Sequence, residues 1–97
     1  MTADDAPLAR LRRRIDAVDR RIVLALAERQ RLIESVAQQK GEPGAVHDPA
    51  RVRQVMARVH AAARVCGLSP AIAEPVWRTL IDRCIAHELA AWDRTRG

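Results

Sequence analysis

The sequence predicts an all-α chain, one long helix followed by two shorter helices, assembled with a second copy as an intertwined helical homodimer. Three observations carry that reading. Apolar residues at Leu8, Leu11, Ile15, Val18, Ile22, Ala25, Leu32 and Val36 recur at helical steps and form one seam, with no Pro or Gly before Gly41 apart from Pro7 at its start. Asp48-Pro49 and Ser69-Pro70 restart helicity twice, and no stretch shows the period of a strand. A helix from Leu8 to Lys40 would be roughly 50 Å long, whereas a compact monomer of this size is roughly 30–35 Å across. The seam therefore outruns the cover one small domain can give it. A second copy is the simplest cover.

In chain order, Met1–Pro7 reads as a frayed leader, acidic and without the apolar run of a signal peptide. The first helix carries Arg12–Asp16 and Asp16–Arg20 on its outer face, i,i+4 pairs worth about 0.2–0.5 kcal/mol each. Gly41 to His47 forms the one real loop. Asp48 is a good N-cap and Pro49 suits the first helical position, so a second helix starts there and carries Val52, Val55, Met56, Val59 and Ala63. It ends near Cys66-Gly67, where Gly tolerates the left-handed backbone of a helix stop. The third helix carries Ile72, Val76, Trp77, Leu80, Ile81, Cys84, Ile85, Leu89 and Trp92. Pro75 lies beyond the first turn counted from Pro70, which predicts a kink or a true start at Pro75. The polar tail Asp93–Gly97 is expected to fray. Residues 1–97 make a single helical domain.

Composition narrows the class. Apolar residues are 48% of the chain, too many for a disordered segment. With no Phe, no Tyr and only Trp77 and Trp92, the core should be aliphatic and rich in alanine. Cys66 and Cys84 lack ligand spacing and read as small, reduced core residues of a cytoplasmic protein. No apolar run of 18 residues exists, which argues against a membrane helix. Sixteen Arg and one Lys against twelve acids give a net charge of +5, which suits solvated helix faces or an anionic partner. A basic nucleic-acid-binding dimer is the alternative of another class, with Arg10, Arg12, Arg13, Arg14, Arg20 and Arg21 facing phosphates. Against it, there is no aromatic stacking platform and no helix with Asn or Gln at base-reading spacing. His47, His60 and His87 lie too far apart for a local metal motif, and no phosphate loop or nucleophile motif is present. Neither metal nor cofactor is expected.

Three charged residues occupy apolar positions. Arg29 interrupts the first seam, Lys40 follows it by eleven residues on nearly the same face, and Glu88 sits on the apolar stripe of the third helix. A buried charge is costly without a counter-ion or ligand. A structural ion pair between Arg29 and Glu88 is one answer, and a bound anion is another. Arg12 lies about 25 Å from Arg29 along the helix, so the two can serve one small molecule only if Arg12 comes from the partner of an antiparallel dimer. Arg51, one turn into the second helix, is a further candidate beside the ordinary surface residues Arg53 and Arg58.

These residues also carry a resemblance. LRRRIDAVDRRIVLALAERQRL (Leu11–Leu32), Lys40, HDPARV (His47–Val52), the GLSP start of the third helix and IDRCIAHE (Ile81–Glu88) together resemble the all-helical class of bacterial chorismate mutases, over nearly the full chain. The resemblance implies an interlocked homodimer that rearranges chorismate to prephenate in aromatic amino acid biosynthesis, without metal or cofactor. Arg12 of the partner subunit and Arg29 would hold the two carboxylates of the dianionic substrate. Lys40 and Glu88 would address the ether oxygen. Asp48 and Arg51 would border the ring and its hydroxyl, and Cys84 stands where the family often has a small polar residue. Val52 replaces a frequent acid, Glu88 stands where many bacterial members have Gln, and the loop before Asp48 is one residue short. Val52, that loop and the ending IAHELAAWDRTRG look more like isochorismate pyruvate lyases, which share the fold, while Asp48 and Glu88 point back to the mutases.

Overall fold

The computed structural model describes residues 6–39 and 47–96, with backbone only for residues 95 and 96. It contains α1 (Ala6–Gln39), α2 (Pro49–Cys66) and α3 (Pro70–Arg96), and no strand among the described residues. The all-helical prediction and the order of one long and two shorter helices hold. Lys40 and the loop residues Gly41–Val46 lie outside the described residues, as do Met1–Asp5 and Gly97.

Helix boundaries follow local chemistry at most ends. Ala6 and Pro7 belong to α1 rather than to a frayed leader, because Pro in a first turn forfeits only an N–H that has no partner there. Asp48 takes an extended backbone (φ −119°, ψ 97°), and its Oδ1 accepts a hydrogen bond from the Arg51 amide at 3.2 Å, capping α2 as expected. At the other end of α2, Gly67 has φ 75°, and the amides of Gly67 and Leu68 both donate to the Ala63 carbonyl, the latter at 2.9 Å.

Ser69 then starts α3. Its Oγ accepts from the Ala71 amide at 3.2 Å, and its carbonyl accepts from Ile72 and Ala73 at 3.0 Å each. The helix begins at Pro70, so Pro75 is an interior residue and not the true start. Proline there cannot donate to the Ala71 carbonyl, but both residues are exposed and water can satisfy that oxygen. The tail departs from expectation as well, since α3 continues through Asp93 to Arg96. Polar residues alone do not stop a helix, and no Gly or Pro intervenes before Gly97.

The chain divides into two compact units, Met1–Leu32 and Ile33–Gly97. The first has no buried residue among those described. Its seam is bare, with Leu8 48%, Ile15 57% and Ile22 50% exposed. The second unit holds the end of α1 together with α2 and α3, the latter two packed on each other. Its buried apolar residues are Ala37, Met56, Ala63, Ala73, Ile81 and Ala91. That is the alanine-rich core the composition predicts, and small side chains at a contact permit close approach of helix axes. Several expected members fall outside it. Ile72 and Val76 remain about half exposed. Cys66 is exposed at the end of α2 and is not a core residue, whereas Cys84 is half-buried; neither forms a disulfide.

Candidate functional site

The first unit supplies two of the candidate cations. Arg12 is exposed on α1 and Arg29 is half-buried. Seventeen residues of helix separate them by about 25 Å along the axis and about 100° around it. One copy of this helix cannot bring both guanidinium groups to one small dianion. Around the same helix, Leu11, Ile15, Ala17 and Val18 line a shallow depression bordered by Arg14 and Arg21. An apolar floor with cationic edges is what the bare seam presents.

The second unit supplies the rest of the described candidates. Glu88 is 6% exposed, a buried ionisable residue as its place on the α3 stripe implies. Its Oε1 is shielded and takes no hydrogen bond of its own, while the residue is engaged elsewhere. Cys84 lies one turn earlier on α3, about 6 Å along the axis, on the same face. Asp48 has one carboxylate oxygen committed to capping α2. Arg51 is exposed, with its Nη1 donating to Gln54 Oε1 at 2.5 Å. Lys40 follows Gln39, the last described residue of α1, and its own position lies outside the described residues. The structure therefore brings Cys84 and Glu88 to one helix face, and places Asp48 and Arg51 together in the first turn of α2.

Two side-chain pairs were not foreseen. His87 Nε2 lies 2.5 Å from Glu34 Oε2, joining α3 to the end of α1. His60 Nε2 lies 2.5 Å from Glu74 Oε2, joining α2 to α3, and Arg78 Nε donates to Glu74 Oε1 at 2.9 Å. The Arg78 hydrogen bond is the main reason the Glu74 carboxyl titrates below its usual 4.5; the charges of Arg78 and His60 act the same way, and partial desolvation opposes them. The i,i+4 spacing of Glu74 and Arg78 could have been read from the sequence. The histidine pairs could not, because a residue 14 or 53 positions away leaves no local pattern. Among the described residues no three His, Cys, Asp or Glu side chains gather as a metal site would require.

The described residues thus offer exposed and half-buried arginines on α1, a capped first turn on α2 and a buried carboxyl on α3. Residues 11–89 match the family profile described as chorismate mutase type II, and the chain belongs to that family. It is also similar to an isochorismate pyruvate lyase of Pseudomonas aeruginosa, at 30% identity over 94 residues that cover 97% of this chain and 93% of the relative. No solved structure matches the chain at comparable significance. No described helix is long and apolar enough to cross a membrane.

Proposed function

We propose that this chain is a chorismate mutase acting as a homodimer, in which each site takes Arg12 from the partner subunit. The observation that carries this reading is the buried Glu88, one turn from Cys84 on α3, inside the segment that matches the family. The bare seam of α1 supports the dimer. Its aliphatic side chains are roughly half exposed, and covering the remainder contributes on the order of 1 kcal/mol each.

The chemistry asks little of the residue types. Rearranging chorismate to prephenate breaks one C–O bond and forms one C–C bond within a single molecule, so nothing is added and nothing leaves. The protein has to hold a flexible dianion in its reactive shape and favour the charge separation of the transition state. Arg29 and Arg12 of the partner subunit would each grip a carboxylate with a two-pronged fork. Lys40 would stabilise the charge that grows on the ether oxygen, an interaction stronger in the transition state than in the ground state. Asp48 and Arg51 would border the ring hydroxyl. Glu88 can donate to the ether oxygen only when protonated, since an ionised carboxylate has acceptors alone. Glu88→Gln, a permanent donor of similar shape, should therefore support turnover that Glu88→Ala does not. A Gln variant as impaired as Glu88→Ala would remove that donor role.

A second reading, an isochorismate pyruvate lyase, is favoured by the similarity to the Pseudomonas aeruginosa protein of that name across nearly both chains. The same electrostatics would then expel pyruvate. Assaying chorismate and isochorismate side by side decides between them, because the ratio of their kcat/KM values measures the preference directly. Mutase activity predicts prephenate formation that chelator leaves unchanged. Tight, salt-sensitive DNA binding without turnover of either compound would overturn both readings. Sedimentation at micromolar concentration tests the dimer, and a stable monomer would refute the shared site.

A further inference from the structure

Glu34 and His87 belong neither to the candidate anion-binding set nor to the alanine core, yet their bond joins the end of α1 to the residue of α3 that precedes Glu88. His87 Nε2 and Glu34 Oε2 are 2.5 Å apart, with side chains 36% and 33% exposed. Glu34 stands one turn before Ala37, the fully buried residue at the end of α1. His87 directly precedes Glu88 and follows Cys84 by three positions. The bond thus ties the end of α1 to the turn of α3 that carries the buried carboxyl.

Buried methyl groups such as those of Ala37 and Ala91 make dispersion contacts that are weak singly and barely directional. A hydrogen bond has a preferred length and angle, and with an ionised partner it is about twice as strong as a neutral one. With Glu34 ionised, the His87 Nε2 must carry the proton, so the bond forms with the neutral Nε2–H ring or with the imidazolium. Rotating α3 by about 20° about its axis would swing a side-chain terminus by about 2 Å, given a helix radius of about 5–6 Å. A displacement of about 1 Å in a catalytic group can reduce rate about 10²-fold.

We propose that His87 and Glu34 are positioning residues for the reaction at Glu88: their bond fixes the rotation of α3 against the end of α1 and so aims the Glu88 carboxyl. The inference rests on the reading of the chain as an enzyme that transforms chorismate or isochorismate. Neither residue contacts substrate in this assignment. Substrate capture by the arginines should therefore be nearly unaffected when the bond is broken.

The test measures kcat and KM on whichever of the two compounds the wild type converts, with thermal unfolding of every variant. His87→Ala and Glu34→Ala should each lower kcat about 10- to 100-fold, with KM within about threefold of wild type. His87→Gln can place an N–H near the Nε2 position and should stay within about threefold of wild type. Exchanging the charges, Glu34→Lys with His87→Glu, should recover most of the rate lost in either single change. Variants that lose thermal stability but keep wild-type kcat would overturn the positioning role and leave an ordinary helix tie. His87→Gln as impaired as His87→Ala while folded would also overturn it. Wild-type protein inactive on both compounds would overturn the functional reading and this inference together, a result distinct from active wild type with indifferent variants.

Discussion

Residues 6–32 and residues 33–94 carry apolar patterns of the same helical period, but the two are covered differently. In the second region Ala37, Met56, Ala63, Ala73, Ile81 and Ala91 are buried within the chain. In the first, a more regular seam of larger aliphatic residues stays open, with Leu11 52% and Ile15 57% exposed. Periodicity reports that a face is to be buried; it does not report which molecule buries it. The region with the stronger pattern is the one its own chain leaves open.

The sharpest way to break this comparison is to charge the open seam. In the proposed dimer, Ile15→Glu should separate the copies and, by withdrawing the partner subunit's Arg12, cut turnover by about 10³-fold or more. Val65→Glu is the control, since Val65 is 87% exposed on α2 and the change should stay within about 0.5 kcal/mol of wild-type stability. Sedimentation read beside turnover decides the matter, and a dimeric, active Ile15→Glu protein would place the interface elsewhere.

Next in size is Lys40→Ala, expected to lower kcat about 10²–10³-fold with a smaller change in KM. Near-normal turnover would remove the ether-oxygen role while leaving the fold untouched. In the self-covered region, Ile81→Ala should cost about 2–5 kcal/mol in denaturant unfolding, because Ile81 is 6% exposed and the truncation leaves a cavity.

The smallest effect concerns the exposed Glu74 cluster. The Arg78 hydrogen bond lowers the folded-state titration of Glu74 below 4.5, so its stabilisation is fully present above that value. It is lost as pH falls through the lowered value. Glu74→Gln should reduce thermal stability slightly at pH 7, and the difference should close in acid. A gap that instead widened in acid would contradict the assignment.

Legibility in the sequence followed the range of the interactions. Asp48-Pro49, Cys66-Gly67 and Ser69-Pro70 marked helix ends correctly because caps and left-handed stops act within four residues. The end of α3 was misjudged because the polarity of Asp93 and Arg94 resembles a fraying tail, although both are compatible with helix. The exposure of Cys66 was missed because its residue type favours burial while its place, at the last turn of α2, does not. The Glu88 position was legible from its place on the stripe. Its tie to the end of α1 through the neighbouring His87 was not, since no periodicity links residues 53 positions apart.

The arginines that border the open seam have a consequence during synthesis. The ribosome releases α1 before α2 and α3 exist, so an aliphatic stripe waits in the cell without the rest of its own chain. Arg10, Arg12, Arg13, Arg14, Arg20 and Arg21 surround that stripe with like charge. Nascent copies on neighbouring ribosomes repel one another at short range, as gatekeeper charges do beside unavoidable apolar segments. Any pairing of mature copies along this seam would meet the same repulsion, and acids such as Asp16 and Asp19 on the same helix offer counter-charges to it.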